Sequence, residues 1–180
     1  MIFIENINRF KTYHKKIFSN KNKFNYKVNF GSPNANNFFI QNLKKSKFFF
    51  EYGTGASTLL ADKLKKKYLS VELDKTFYNQ IKKKIKEKDN IKFVNIGPVG
   101  EFSYPLFKFK KKIKNYVEMI NLCLDESNFP DLVLIDGRFR VACCLNLLKF
   151  EKINKGLCTI IIDDYIKRKE YHILKSFFFI

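Results

Sequence analysis

The chain has 180 residues, 46% of them hydrophobic and 17% aromatic, which is enough for one ordinary domain with a sizeable core and too apolar for wholesale disorder. No apolar run approaches the ~20 residues that span a bilayer, and the opening MIFIENINRF breaks at Glu5 before it can act as a secretory core, so a cytoplasmic protein is expected. The 35 Lys+Arg against 17 Asp+Glu give a formal charge of +18, but only Arg9, Arg138, Arg140 and Arg168 are arginine, and the lysine excess comes with the Asn, Ile and Phe that an A/T-rich coding sequence favours; the charge therefore reads as a solvated lysine coat before it reads as a nucleic-acid footprint.

In chain order, Met1 to Phe18 is expected to form a lid helix, and Ser19 to Asn37, rich in Asn, Lys, Ser, Gly and Pro, a loop that leads into a helix starting near Pro33. Residues 1–46 are read as an N-terminal lid or substrate cap, and residues 47–180 as the main domain. From Lys47 onward, short apolar runs alternate with amphipathic segments. The runs Lys47 to Glu51, Tyr68 to Glu72, Ile91 to Ile96, Asp131 to Asp136 and Leu157 to Asp163 each end in or near a polar residue, as strands buried on both faces do when functional groups sit at their carboxyl ends. Between them, Phe77, Ile81 and Ile85, then Ile113, Val117, Ile120 and Leu124, then Val141, Leu145 and Leu148, recur at helical spacing. The pattern predicts an α/β fold: a Rossmann-like, doubly wound, mostly parallel sheet with helices on both faces. Cys123, Cys143, Cys144 and Cys158 show no C-x-x-C spacing and are read as reduced core thiols.

The first strand runs into Glu51-Tyr52-Gly53-Thr54-Gly55-Ala56-Ser57-Thr58 and then a helix, a glycine turn that lets a ligand approach backbone N–H groups. Glu72 closes the second strand 21 positions after Glu51, about where an acid meets the two hydroxyls of a bound ribose. A pyrophosphate-binding loop wants a third glycine where Thr58 stands and has no need of an acid at position 51, which argues against a dehydrogenase. A carboxylate two residues before the first glycine suits a ligand with a cationic amino group.

This E-x-G-x-G-x-S turn, with an acid ending the second strand, resembles the class I S-adenosylmethionine-dependent methyltransferases. The stretches Ile96 to Pro105 (IGPVGEFSYP), Asp131 to Cys143 (DLVLIDGRFRVAC) and Ile160 to His172 (IIIDDYIKRKEYH) are similar to a little-characterised bacterial methyltransferase-like group carrying the same landmarks in the same order. The resemblance implies S-adenosylmethionine as cofactor, with Glu51, Gly53, Gly55 and Ser57 around its methionine part, Glu72 on the ribose, and Asn95, in place of the family's usual acid, with Ile96 beside the adenine. It also implies two further strands after the fifth, of which Phe177 to Ile180 is only a stub, so that the edge beside the fifth strand is expected to stay open and either to pair with a second copy of the chain or to aggregate.

Asp136, Asp163 and Asp164 end the fourth and fifth strands, where they can orient the cofactor, act as a general base or hold a divalent metal; no metal is assigned. Asp136, Asp164 and His172 are the candidate catalytic groups. Arg138 and Arg140, arginines in a chain that otherwise avoids them, suit a carboxylate or phosphate on the substrate, or else pair with the neighbouring acids. The expected function is methyl transfer to a small-molecule or sugar hydroxyl on an anionic acceptor. The alternative is a basic Rossmann-like module that binds or methylates RNA.

Overall fold

The computed structural model describes residues 27–123 and 129–178. The expected lid helix, Leu124 and the end of the sixth-strand stub lie outside them. Five strands form one sheet: β1 Phe48–Tyr52, β2 Lys67–Glu72, β3 Ile91–Phe93, β4 Leu132–Ile135 and β5 Thr159–Ile162. Their order is β3-β2-β1-β4-β5, and every pairing is parallel. The chain thus builds outward from β1 to β3, then crosses to the other side of β1 to continue with β4 and β5. The crevice between β1 and β4 is therefore the point where the winding reverses, and ligands of open α/β sheets bind outside the carboxyl ends of the strands at that point.

The period of two along each strand divides the core. Phe49, Leu132, Leu134 and Tyr68 face one side, where helices α1 (Pro33–Lys45) and α2 (Ala56–Lys63) contribute Phe39, Leu43 and Ala61. Phe48, Phe50, Tyr52, Val133 and Ile135 face the other, against Tyr116 of α4 (Lys110–Val117), Ile120 and Cys123 of the following 3-10 turn, and Cys143, Cys144 and Leu147 of α5 (Arg140–Leu147). Helix α3 (Lys75–Lys84) packs Tyr78 and Ile81 against Ile91 of β3, and the short α6 (Glu151–Asn154) leads into β5. The start of α1 is set by Ser32, whose hydroxyl accepts from Ala35 N, with Pro33 in the first turn. All four cysteines are free thiols, three of them buried.

Where elements differ from expectation, a specific bond accounts for it. β3 was expected to reach Ile96, but Asn95 turns its own Oδ1 to the N–H of Gly97 at 2.9 Å and pulls the chain off the sheet after Val94. The Asp131 carboxylate accepts from Lys47 N and Phe48 N, so it anchors the start of β1 instead of extending β4. The stripe through Val117 and Ile120 changes from α-helix to 3-10 geometry at Glu118. After β5 the chain forms the 3-10 stretch Lys169–Ser176, and Phe177 and Phe178, expected to begin a sixth strand, lie outside strand structure. Among the described residues no helix is long and apolar enough to cross a membrane.

Candidate functional site

A cleft of about 770 Å³ opens over the carboxyl ends of β1, β2, β4 and β5, within the range of cavities that bury a cofactor-sized ligand. Gly53, Thr54, Glu72, Asp136, Arg138, Arg140 and Asp164 line it. Gly53 has φ +93° and packs so closely on the β4 turn that an added Cβ would sit 2.8 Å from the N of Gly137. Only glycine satisfies both the left-handed backbone and that contact. A Cβ on Gly55 would meet nothing within 4 Å, which leaves open space in front of the first turn of α2.

Two acids behave quite differently beneath this loop. Glu51 pairs in register with Ser70, so both side chains share the α2 side of the sheet. It is fully buried and accepts hydroxyl hydrogen bonds from Ser57 and Ser70, each at 2.6 Å, and from Thr58. Burial pushes its pKa up to about 7 against the opposing pull of those three hydroxyls. Glu51 and Ser57 therefore brace the loop from below, and neither is among the residues that line the cleft. Thr58 takes part in the same brace, accepting from Gly55 N at 2.9 Å while donating to Glu51.

Glu72 does face the cleft. One oxygen accepts from Thr54 N at 3.0 Å and Thr54 Oγ1 at 2.7 Å, and the other from Leu73 N at 2.8 Å, Asp74 N at 2.9 Å and, weakly, Ser103 Oγ at 3.4 Å. Burial raises its pKa and the backbone donors at Asp74 and Thr54 oppose the rise. The carboxylate is already saturated, so two ribose hydroxyls would bind it by replacing the two side-chain hydroxyls, Thr54 Oγ1 and Ser103 Oγ, which can rotate away. Asn95 is exposed and occupied with its own turn, and Ile96 is buried in the core; neither is part of the cleft lining.

At the other end, Arg140 gathers the three aspartates. Its side chain is 8% exposed, with Nη2 at 2.8 Å from Asp136 Oδ1 and Nη1 at 3.3 Å from Asp163 Oδ2 and 3.8 Å from Asp164 Oδ2. It also donates to the backbone carbonyls of Gly137, Asp136 and Asp163. Every part of its fork is used within the chain, so it orients carboxylates and offers nothing to a substrate. Asp136 still has 43% of its side chain open to the cleft; the protein around it withholds enough solvent to push its pKa up to about 7, Arg140 pulling down and Asp163 pushing further up. Asp164 has φ +59° and is held by Arg168 at 3.4 Å.

Arg138 is placed otherwise. Its Nε donates to Phe102 O at 2.6 Å, its guanidinium lies 3.9 Å from the centre of the Tyr104 ring, and among the described residues no carboxylate forms an ion pair with it. Its guanidinium is thus held between the Phe102 carbonyl and the Tyr104 ring, and the residue lines the cleft. Desolvation lowers its pKa. His172 is half-buried with its ring 5.2 Å from that of Tyr165 and is not part of the cleft lining.

Reading the sequence did not single out Phe102, Ser103 and Tyr104 individually, nor Asp74, Tyr116 and Arg168. The first three lie within the Ile96–Pro105 landmark, and consecutive left-handed residues, Phe102 at +52° and Ser103 at +59°, bend it over the cleft. Tyr116 stands beside the apolar stripe of α4, off the positions that mark its periodicity, and its buried hydroxyl has no hydrogen-bond partner among the described residues.

No protein-family model and no curated relative matches the chain. Among solved structures it is similar to a methyltransferase-like protein (spo2022) of Silicibacter pomeroyi DSS-3, with a TM-score of 0.63 and 27% sequence identity over 85% of this chain and 82% of that one. With its five-stranded parallel sheet, this chain has a Rossmann-like methyltransferase fold.

Proposed function

We propose that the chain is an S-adenosylmethionine-dependent methyltransferase. The observation that carries this reading is the pairing, at the β1/β4 switch point, of a left-handed Gly53 turn pressed against Gly137 with the recessed carboxylate of Glu72. Gly53 and Gly55 let a ligand approach the backbone, and Glu72 accepts ribose hydroxyls. The cofactor supplies an already activated methyl group, so the chain's task is to align an acceptor and to remove its proton. Asp136 suits the second role, because a carboxyl held near neutrality is matched to general-base work at neutral pH. Arg140, with Asp163 and Asp164, fixes its orientation. Arg138 contacts an anionic group on the acceptor, a carboxylate or a phosphate.

The test is calorimetry with S-adenosylmethionine, S-adenosylhomocysteine and NAD side by side. Binding of the first two and not the third is the expected result. Binding of NAD alone, or of none of the three, overturns the reading.

A further inference from the structure

The coding bias that explains a lysine coat also explains a surplus of phenylalanine, but it does not explain where the unburied ones lie. Of the six strongly exposed aromatic side chains among the described residues, four fall within eight positions: Phe102 at 82% exposure, Tyr104 at 47%, Phe107 at 46% and Phe109 at 45%. The other two, Phe38 and Phe177, stand apart from them in sequence. Bias scatters phenylalanine along a chain and folding buries most of it; a leftover cluster of exposed rings is a patch of the kind that marks an interaction surface.

The same stretch is basic. Lys108, Lys110, Lys111, Lys112 and Lys114 are all exposed, and no acid occurs between Glu101 and Glu118. Rings and cations are interleaved: Lys112 Nζ lies 5.0 Å from the centre of the Phe109 ring, and Arg138 lies over Tyr104. Phe107 and Phe109 stand 6.0 Å apart at 45°. The rim reaches the cleft through Phe102 and Tyr104, which line it.

We infer that this rim, Phe102 to Lys114 with Arg138, docks single-stranded nucleic acid. Bases stack on exposed rings whatever their identity, and lysines beside the rings follow the phosphates. A duplex hides its base faces. An anionic bilayer would match the charge, but it is flat, whereas the rim borders a recessed cleft that an unstacked nucleotide enters as a single unit. The docking surface goes beyond the methyltransferase reading and stands independently of it; where both hold, the strand delivers the methyl acceptor past Arg138.

The experiment is fluorescence anisotropy on the full chain with labelled dodecamers of uridine and of thymidine, a duplex of equal length, and co-sedimentation with phosphatidylglycerol vesicles. Phe102→Ala with Phe107→Ala should weaken single-strand binding about tenfold, with the circular dichroism unchanged. Lys110→Gln, Lys111→Gln and Lys112→Gln together should lower the slope of log affinity against log salt by roughly 2. The matched control is Lys44→Gln, Lys45→Gln and Lys47→Gln, exposed lysines at the opposite, amino end of β1, which should change neither. Preference for the uridine or the thymidine strand distinguishes RNA from DNA as the source. Equal losses in the control set, no single-strand binding by the wild type, or binding to vesicles alone would each overturn the inference. Nucleic-acid binding without affinity for S-adenosylhomocysteine leaves the rim standing and removes the methyltransferase reading.

Discussion

The hydroxyl of Tyr116 occupies the space that the Cβ of any residue other than glycine would need at position 137: an added Cβ would lie 2.1 Å from it. The same turn is pressed from the other side by Gly53, so the β1 and β4 loops and helix α4 lock together at the floor of the cleft. Tyr116 is fully buried and its hydroxyl has no hydrogen-bond partner among the described residues. This relationship couples the two residues energetically.

Gly137→Ala should therefore destabilise the protein by about 3 kcal/mol or more through overpacking. Tyr116→Phe should cost nothing or stabilise slightly, since removing an unsatisfied buried hydroxyl relieves its desolvation penalty. The double variant should recover a substantial part of the alanine's cost, a coupling of about 1–3 kcal/mol in urea denaturation. Strict additivity of the two changes would show that the hydroxyl does not determine the glycine.

The two arginines of the fourth-strand turn should separate stability from substrate recognition. Arg140→Ala leaves Asp136 and Asp163 without their counter-charge, Asp164 keeping Arg168; because these acids retain partial exposure, a loss of about 2–3 kcal/mol is expected, toward the lower end for buried pairs. Arg138→Ala removes a stacking contact and one backbone hydrogen bond at a half-buried site, and should cost about 1 kcal/mol or less. Its effect should appear in the KM for an anionic acceptor. A larger stability loss for Arg138→Ala than for Arg140→Ala in thermal denaturation contradicts these assignments.

The sheet was legible because strands buried on both faces leave uninterrupted apolar runs, and FFFEY, KYLSVE and LVLI stand out against the lysine-rich helices. The glycine turn and Glu72 were legible because their spacing is local. Side-chain direction was not. Glu51 sits one residue from the end of β1, and whether it faces the ligand or the space beneath α2 depends on its register with Ser70 in another strand. Arg140 and Arg138 are two positions apart in a turn that reverses direction at Phe139, φ +59°, and only tertiary placement decides which meets the aspartates. The Phe102–Ser103 bend escaped because neither residue type advertises a positive φ.

The buried Glu51 should leave a signature in the pH dependence of stability. Its carboxyl ionises at about 7 when folded against an ordinary value of 4.5, so between those values the folded state holds a proton that the unfolded state has released. Stability from this group is fully present below about pH 4.5 and is lost as pH rises to 7, by on the order of 3 kcal/mol. Glu51→Gln cannot ionise and should show a shallower decline than the wild type over that window in guanidinium titrations. Asp136, raised in the same direction, contributes to both proteins and cancels in the difference apart from the last and smallest part of its rise, which comes from the Glu51 charge. Parallel profiles for the two proteins would mean that Glu51 is charged in the fold at neutral pH.

The saturation of Glu72 leads to opposite expectations for two neighbouring substitutions. A ribose whose hydroxyls bind Glu72 must displace Thr54 Oγ1, now at 2.7 Å, and Ser103 Oγ, at 3.4 Å, while the backbone donors of Thr54, Leu73 and Asp74 stay in place. Glu72→Ala removes the acceptor and should weaken S-adenosylhomocysteine binding by about 1.5–3 kcal/mol, roughly ten- to a hundredfold. Thr54→Val removes only the competing hydroxyl and keeps the backbone N–H, so affinity should hold or rise. The two substitutions touch the same carboxylate, and a general loosening of the loop would weaken binding in both. Calorimetry showing Thr54→Val to lose affinity alongside Glu72→Ala would mean that the Thr54 hydroxyl serves the ligand directly or holds the loop in shape, and in either case that Glu72 does not exchange it for ribose.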